Sequence, residues 1–126
     1  MRRASDRKMP RIAFVFADLS YGGSNLQTVK IIQHSSAMNN CIVITLTDVE
    51  DEKILENKLK DIGIEPIHMR FNRYSFFSEI SRLRKVVAEN NCQLVSSNGL
   101  RSDMVCHYAF RKTNIPHVIV LHNYLR

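Results

Sequence analysis

Five short apolar segments alternate along the chain with longer segments whose apolar residues recur at helical spacing. The short segments are Arg11–Ala17, Cys41–Thr47, Ile64–Met69, Gln93–Ser97 and His117–Leu121. The first two are apolar at successive positions rather than at alternate ones, which is typical of strands covered on both faces. The pattern therefore predicts five buried strands in a parallel sheet.

Four amphipathic segments connect these strands and are predicted to be helices. Ser24 opens the first, and Gln27 three residues later predicts a capping box. The others cover residues 51–62, Ser75–Asn90 and Asp103–Lys112. Strands alternating with helices at this spacing predict an α/β fold, a Rossmann-like three-layer sandwich whose parallel sheet of about five strands has the order 3-2-1-4-5.

Ligands bind such sheets at the carboxyl ends of the strands, beside the point where the strand order switches. That point falls between the first and fourth strands. The loops expected to carry function are therefore residues 18–25, 47–51 and 98–103, together with the residues from 122 onward.

Composition is that of a single globular domain, with 126 residues, 44% hydrophobic and 24% charged. The longest apolar runs are much shorter than the ~20 residues that cross a bilayer. Residues 1–10 lack the apolar stretch of a signal peptide and are expected to form a flexible basic tail ahead of a domain spanning 11–126. Three dispersed cysteines do not suggest a disulfide framework, so a cytoplasmic location is expected.

Charge is distributed unevenly along the chain, whose formal net charge is +6. Residues 1–11 hold five cations and one acid, residues 48–65 seven acids and three cations, and residues 70–85 five cations and one acid. One basic side of a molecule suggests an anionic partner. Ordinary solvated helix faces are the alternative.

The loop after the first strand contains two adjacent glycines, Gly22 and Gly23, directly before a helix. Glycine lets a ligand approach the backbone closely, and a helix N-terminus offers free N–H groups and partial positive charge to a phosphate. The loop matches neither GxGxxG nor GxxxxGK[ST], which removes the main support for a dinucleotide or Walker site. The alternative is that the glycines only permit a tight turn.

Two further motifs lie in the second half of the chain, SSNGLRSD at residues 96–103 and IPHVIVLHN at residues 115–123. With the glycine pair, they resemble the amino-terminal domain of family-4-like glycosyltransferases of the GT-B fold. In that family the fourth strand runs into His-x-His-Gly-Leu-Arg-x-Asp, and the fifth ends in Thr-Leu-His-Asn. The resemblance covers residues 11–123. Ser96 and Asn98 stand where the family often has histidines, so a histidine-specific role is absent there.

This resemblance implies the acceptor-side lobe of an enzyme that moves a sugar from a nucleotide-sugar to a saccharide or lipid-linked acceptor, in polysaccharide or glycoconjugate synthesis. A second lobe holds the nucleotide-sugar in that family, so these 126 residues alone are expected to be inactive. The implied catalytic residue is His122, for which a structural loop histidine is the alternative. The implied substrate-binding residues are Gly22, Gly23, Ser24, Asn98, Arg101 and Asn123. No cofactor or metal is expected, because the histidines and cysteines lack metal-ligand spacing.

Enzymes of this fold that act on lipid-linked acceptors use a basic and aromatic surface of this lobe on anionic lipid. By resemblance, the membrane-facing cations here are Arg70, Arg73, Arg82, Arg84 and Lys85, in peripheral contact with the inner face of a membrane. The alternative is a core-facing helix with a basic outer face. The alternative function is a non-catalytic Rossmann-like module that binds a phosphorylated ligand. Nucleic-acid binding is not expected, because no recognition motif is present.

Overall fold

The computed structural model describes residues 10–34, 40–49, 53–71 and 76–119. In chain order its elements are β1 (Ile12–Phe16), α1 (Gly23–Gln33), β2 (Cys41–Thr45), α2 (Ile54–Asp61), β3 (Ile67–His68), α3 (Phe76–Glu89), β4 (Leu94–Asn98), α4 (Leu100–Phe110) and β5 (His117–Ile119). All paired strands are parallel, and their order is β3-β2-β1-β4-β5. The predicted fold class and strand order are confirmed.

The central position of β1 in the sheet explains why its sequence is apolar at successive positions. Neighbouring side chains of a strand point to opposite faces of the sheet. Ala13 and Val15 belong to the core packed against α3 and α4, whereas Phe14 and Phe16 belong to the core packed against α1 and α2. Both faces are therefore covered by helices, which makes the three-layer sandwich.

Each helix is fixed to the sheet by one apolar stripe. Val29 and Ile32 of α1 are buried on one side of the sheet, and Leu83 and Val87 of α3 on the other. Burying one such side chain contributes about 1.5–3 kcal/mol. In a parallel βαβ unit this packing places the N-termini of the helices at the carboxyl edge of the sheet.

The N-cap of the first helix lies two residues earlier than predicted. Gly22 is the N-cap residue of α1, and the Leu26 amide donates to the Gly22 carbonyl over 2.8 Å. Ser24 is therefore the second residue inside the helix and cannot be its N-cap. The predicted capping box between Ser24 and Gln27 is wrong, because the extended backbone at Gly22 already starts the helix.

The fourth helix begins at Leu100, three residues before the predicted Asp103. Gly99 has a φ of +104°, which turns the chain from β4 into α4 within one residue. The Asp103 amide then donates to the Gly99 carbonyl over 2.8 Å as part of the first helical turn. The loop expected over residues 98–103 is thus reduced to Gly99 alone.

The remaining differences in element bounds are small. β3 is shorter than predicted, with only Ile67–His68 paired to β2. The predicted starts of the second and third helices, residues 51–52 and Ser75, lie outside the described residues, as do the basic tail up to residue 9 and the predicted end of β5. No helix among the described segments is long and apolar enough to cross a membrane.

Candidate functional site

The candidate site lies at the carboxyl edge of the sheet, where strand order switches. Phe16, the last residue of β1, is paired with Thr45 at the end of β2 and with Asn98 at the end of β4. The segment after β1, residues 18–25, is called the glycine loop below. It leads from this edge into the N-terminus of α1.

Neither glycine of the pair is required by the backbone. Gly22 has φ −166° and ψ 168°, an extended conformation open to any residue. Among the described glycines, only Gly63 and Gly99 have positive φ. Apart from the adjacent residues and the backbone of α1 itself, a Cβ atom added to Gly22 or Gly23 would meet no atom within 4 Å. The pair therefore leaves open space beside the first turn of α1, whose amide groups Gly22 cannot cap with a side chain.

Asn98 points into the protein from the end of β4. Its side chain is only 2% exposed and is hydrogen-bonded to Thr28 of α1 and to Asn25. Asn25 in turn donates to backbone carbonyls of the glycine loop. Asn98 thus belongs to a buried polar network beside the predicted site, and its direct contact with a substrate stays a prediction.

Arg101, in the first turn of α4, is held by a buried carboxylate that the sequence did not single out. Its Nη2 lies 3.0 Å from Oε1 of Glu79, which is buried on α3. In the described part of the chain, the second oxygen of Glu79 and the Nε of Arg101 have no hydrogen-bond partner. A buried acid on an apolar helix face is a sequence signal that could have identified this pair.

A second polar cluster, also missed in the sequence, joins β4, α4 and β5. Ser97 Oγ lies 2.6 Å from Oδ1 of Asp103 and 2.7 Å from Nε2 of His117. An ionised carboxylate only accepts, so Ser97 donates to Asp103 and His117 Nε2 donates to Ser97. His117 is therefore not placed as a base toward the hydroxyl, and the cluster is not a nucleophilic triad.

Burial lowers the pKa of His117 below its ordinary value of 6.5, the Asp103 carboxylate opposes this shift, and His107 adds to it. Below pH ~6.5 the unfolded chain then binds a proton that the folded protein binds less well. We expect the free energy of unfolding to fall as the pH drops through this range. In His117→Gln, which keeps an N–H donor, the free energy of unfolding should fall by less. Solvent screening of the half-buried ring limits the difference to less than about 1 kcal/mol.

Urea unfolding at pH about 7.5 and about 5.5 measures this effect. The quantity to compare is the loss of unfolding free energy between the two pH values in each protein. An equal loss in both proteins would show that His117 makes no contribution.

Charged side chains also gather beyond β2 and β3. His68 lies 2.8 Å from the Thr45 hydroxyl and 3.5 Å from Glu56, which pairs with Lys60 over 3.0 Å. Burial alone would raise the pKa of Glu56, but the hydrogen bond from Lys60 and the charges of His68, Lys53 and Lys60 lower it. Opposite charges are thus matched within the cluster, which indicates a structural role.

The cations predicted to face a membrane are held by different parts of the fold. Arg70 pairs with Asp48 over 2.8 Å beyond β3. The Arg82 guanidinium lies 5.1 Å from the centre of the Phe71 ring. Lys85 is exposed, Arg84 donates to a backbone carbonyl of α4, and Arg73 lies outside the described residues.

The outer side of α3 and α4 carries an exposed apolar surface, called the α3–α4 surface below. Phe77 is 85% and Leu100 78% exposed, while Met104 and Tyr108 are about half exposed. Phe76 makes edge-to-face contacts with Phe77 and Tyr108. These aromatic rings border a hollow of about 430 Å³ whose cationic lining residues are Arg84, Arg111 and Lys112.

The three cysteines are free, and two of them are buried. Burial raises the pKa of the Cys41 thiol to about 11 and raises the pKa of Cys92 and Cys106 as well. Thiols of this kind are poor nucleophiles and poor metal ligands at neutral pH. Within the described ranges, no group of three or more histidine, cysteine, aspartate or glutamate side chains could hold a metal ion.

Two predicted site residues, His122 and Asn123, lie outside the described residues. Their roles beside the reacting sugars stay predictions. The structure brings the glycine loop, Asn98 and the start of α4 with Arg101 to the same edge of the sheet.

The fold matches a solved enzyme structure. The crystal structure of a glycosyltransferase from Rickettsia africae ESF-5 superposes with a TM-score of 0.67 at 12% sequence identity, and the match covers 93% of this chain and 31% of that one. The chain thus spans about a third of that protein's length. No family model and no curated protein matches the sequence. The chain is a Rossmann-type α/β domain with the fold of one part of a glycosyltransferase.

Proposed function

We propose that this domain is the acceptor-side, amino-terminal lobe of a GT-B glycosyltransferase. The enzyme would move a sugar from a nucleotide-sugar to a saccharide or lipid-linked acceptor in polysaccharide or glycoconjugate synthesis. The observation that carries the proposal is the glycine pair, which neither backbone conformation nor packing requires. The match to part of a glycosyltransferase supports the same function.

In this proposal the first turn of α1 binds the diphosphate of the nucleotide-sugar. Its amides and the helix dipole supply partial positive charge where negative charge develops on the leaving diphosphate. Gly22 and Gly23 leave room for the phosphate oxygens, and Ser24 adds a hydroxyl. A second lobe holds the nucleotide, and closure of the two lobes aligns donor and acceptor.

The other predicted residues contribute at the same edge of the sheet. In this proposal Arg101, held by Glu79, contacts the substrate from the start of α4. His122 and Asn123 contact the acceptor sugar. Transfer then requires both lobes, whereas diphosphate binding requires only this one.

Titration with pyrophosphate, followed by amide NMR spectra, tests the phosphate site. We expect shift changes concentrated at residues 22–25, because these amides meet the anion. Gly63, which follows α2, serves as an internal reference and should not respond. Changes confined to the basic residues 1–11 would contradict the proposal.

The alternative, a non-catalytic module for a phosphorylated ligand, predicts the same titration. The two functions differ in their response to sugars. An acceptor lobe should also bind a member of a panel of methyl glycosides at the carboxyl edge of the sheet. Response to pyrophosphate alone would favour the non-catalytic module.

The α3–α4 surface favours a second element of the proposal, peripheral contact with an anionic membrane at its inner face. Phe77 and Leu100 supply apolar area, and Arg84, Arg111 and Lys112 can meet lipid phosphates. The acidic residues of the two helices lie away from this surface. Glu79 is buried, Asp103 accepts a hydrogen bond from Ser97, and Glu89 is the last residue of α3. Such contact would bring the domain to a lipid-linked acceptor.

A further inference from the structure

A chain of hydrogen bonds connects the interior of the domain with the backbone of the glycine loop. Thr28 Oγ1 donates to Asn98 Oδ1 over 3.2 Å, and Asn98 Nδ2 donates to Asn25 Oδ1 over 2.6 Å. Asn25 Nδ2 then donates to the carbonyl oxygens of Asp18 and Ser20, over 3.2 and 2.9 Å. The last two bonds hold the loop shortly before Gly22.

The donor-to-acceptor direction of this series of hydrogen bonds is determined by its last bonds, those to the glycine loop. Backbone carbonyls only accept, so Asn25 must turn its Nδ2 toward the loop and its Oδ1 toward Asn98. Asn98 must then present its own Nδ2, which leaves its Oδ1 to accept from the Thr28 hydroxyl. Reversing either amide would place two acceptors or two donors against each other, so the three side chains have one consistent arrangement.

Burial makes this arrangement stiff. Thr28 and Asn98 are each 2% exposed, and Thr28 belongs to the buried stripe of α1 together with Val29 and Ile32. A buried amide or hydroxyl that loses its partner is strongly disfavoured, because water cannot replace the bond. The glycine loop is therefore tied to two elements that meet at the core, α1 and β4.

We propose that Asn98 and Thr28 are positioning residues that hold the glycine loop in its phosphate-binding conformation without touching the ligand. This inference rests on the proposed phosphate site at Gly22 and Gly23. It gives Asn98 a role different from the direct substrate contact that its motif implies. The physical basis is preorganisation, because a loop already in its binding conformation loses less entropy when the anion binds.

Thr28→Val tests the inference, because it removes the first donor of the chain and nearly keeps the side-chain shape. Thr45→Val is a matched control at the same edge of the sheet, with a buried hydroxyl that contacts His68 rather than Asn98. Thr28→Ser restores the hydroxyl. The measurements are the pyrophosphate Kd, backbone order parameters of residues 20–25 from amide relaxation, and a thermal melt of each protein.

We expect Thr28→Val to weaken pyrophosphate binding about fivefold, the equivalent of one lost hydrogen bond, and to lower the order parameters of the glycine loop. Thr45→Val should match the wild type in both, and Thr28→Ser should recover both. Wild-type affinity and loop order in folded Thr28→Val would overturn the inference.

The test separates this inference from the proposed function. If the wild type does not bind pyrophosphate at residues 22–25, the proposed function fails, and the order parameters alone decide whether Thr28 holds the loop. If Thr28→Val does not fold, the test uses Asn25→Ala instead, because Asn25 is the half-buried last side chain in the same series of hydrogen bonds. A glycine loop that stays ordered in that variant would equally reject the positioning role.

Discussion

Gly23→Val is expected to weaken pyrophosphate binding by about a hundredfold while the domain stays folded. The added side chain would occupy the open space beside the first turn of α1, where, apart from the adjacent residues and the backbone of α1 itself, no atom lies within 4 Å of the new Cβ. Two hydrogen bonds to a charged ligand, at about 1.5 kcal/mol each, correspond to that loss of affinity. Stability should not fall, because Gly23 lacks positive φ and valine is a better helix former than glycine.

The measurements are the pyrophosphate Kd from amide NMR shifts and a thermal melt of each protein. Gly63→Ala is the matched control, because Gly63 has a φ of +87° with open space around it. There the substitution strains the backbone, so we expect a loss of about 1 kcal/mol in stability with unchanged affinity. If Gly23→Val instead lowers the melting temperature and keeps the affinity, the glycine pair serves only the turn.

Phe77→Gln is expected to reduce binding to anionic vesicles about tenfold. The Phe77 ring is almost fully exposed, and burying an aromatic side chain of this size contributes at least ~1.5 kcal/mol. Ile31→Gln is the matched control, since Ile31 is a half-exposed apolar residue of α1, on the opposite layer. Sedimentation with vesicles that contain an anionic phospholipid, at low and high salt, measures the effect.

Residues 2–8 are deleted from every protein in this comparison, because their cations could bind anionic vesicles by themselves. Binding should also weaken at high salt, since Arg84, Arg111 and Lys112 contribute through screened charge. Equal losses in Phe77→Gln and Ile31→Gln, or no binding after the deletion, would show that the α3–α4 surface does not contact lipid.

Residue pattern was sufficient to predict the edge of the sheet that carries the candidate site. The apolar runs locate the strands, and parallel crossovers of one hand then determine where their carboxyl ends meet. The glycine pair follows β1, and Asn98 and Arg101 lie at the end of β4 and the start of α4, so the sequence predicts all of them near this edge. What they contact there could not be predicted, because Arg101 meets Glu79 from another helix and Asn98 meets Thr28, 70 positions away in the chain.

The sequence by itself determined the α/β class, the strand order and the segments that follow the carboxyl ends of the strands, because these follow from local periodicity and chain handedness. Tertiary structure decided where the helices begin and which polar groups pair. Gly22 and Gly99 start their helices through backbone angles that residue type does not specify, extended at one and positive φ at the other. The hydrogen bonds of Asn98 with Asn25 and of Ser97 with His117 form because packing brings segments 73 and 20 positions apart within about 3 Å of each other. No local sequence pattern identifies such partners.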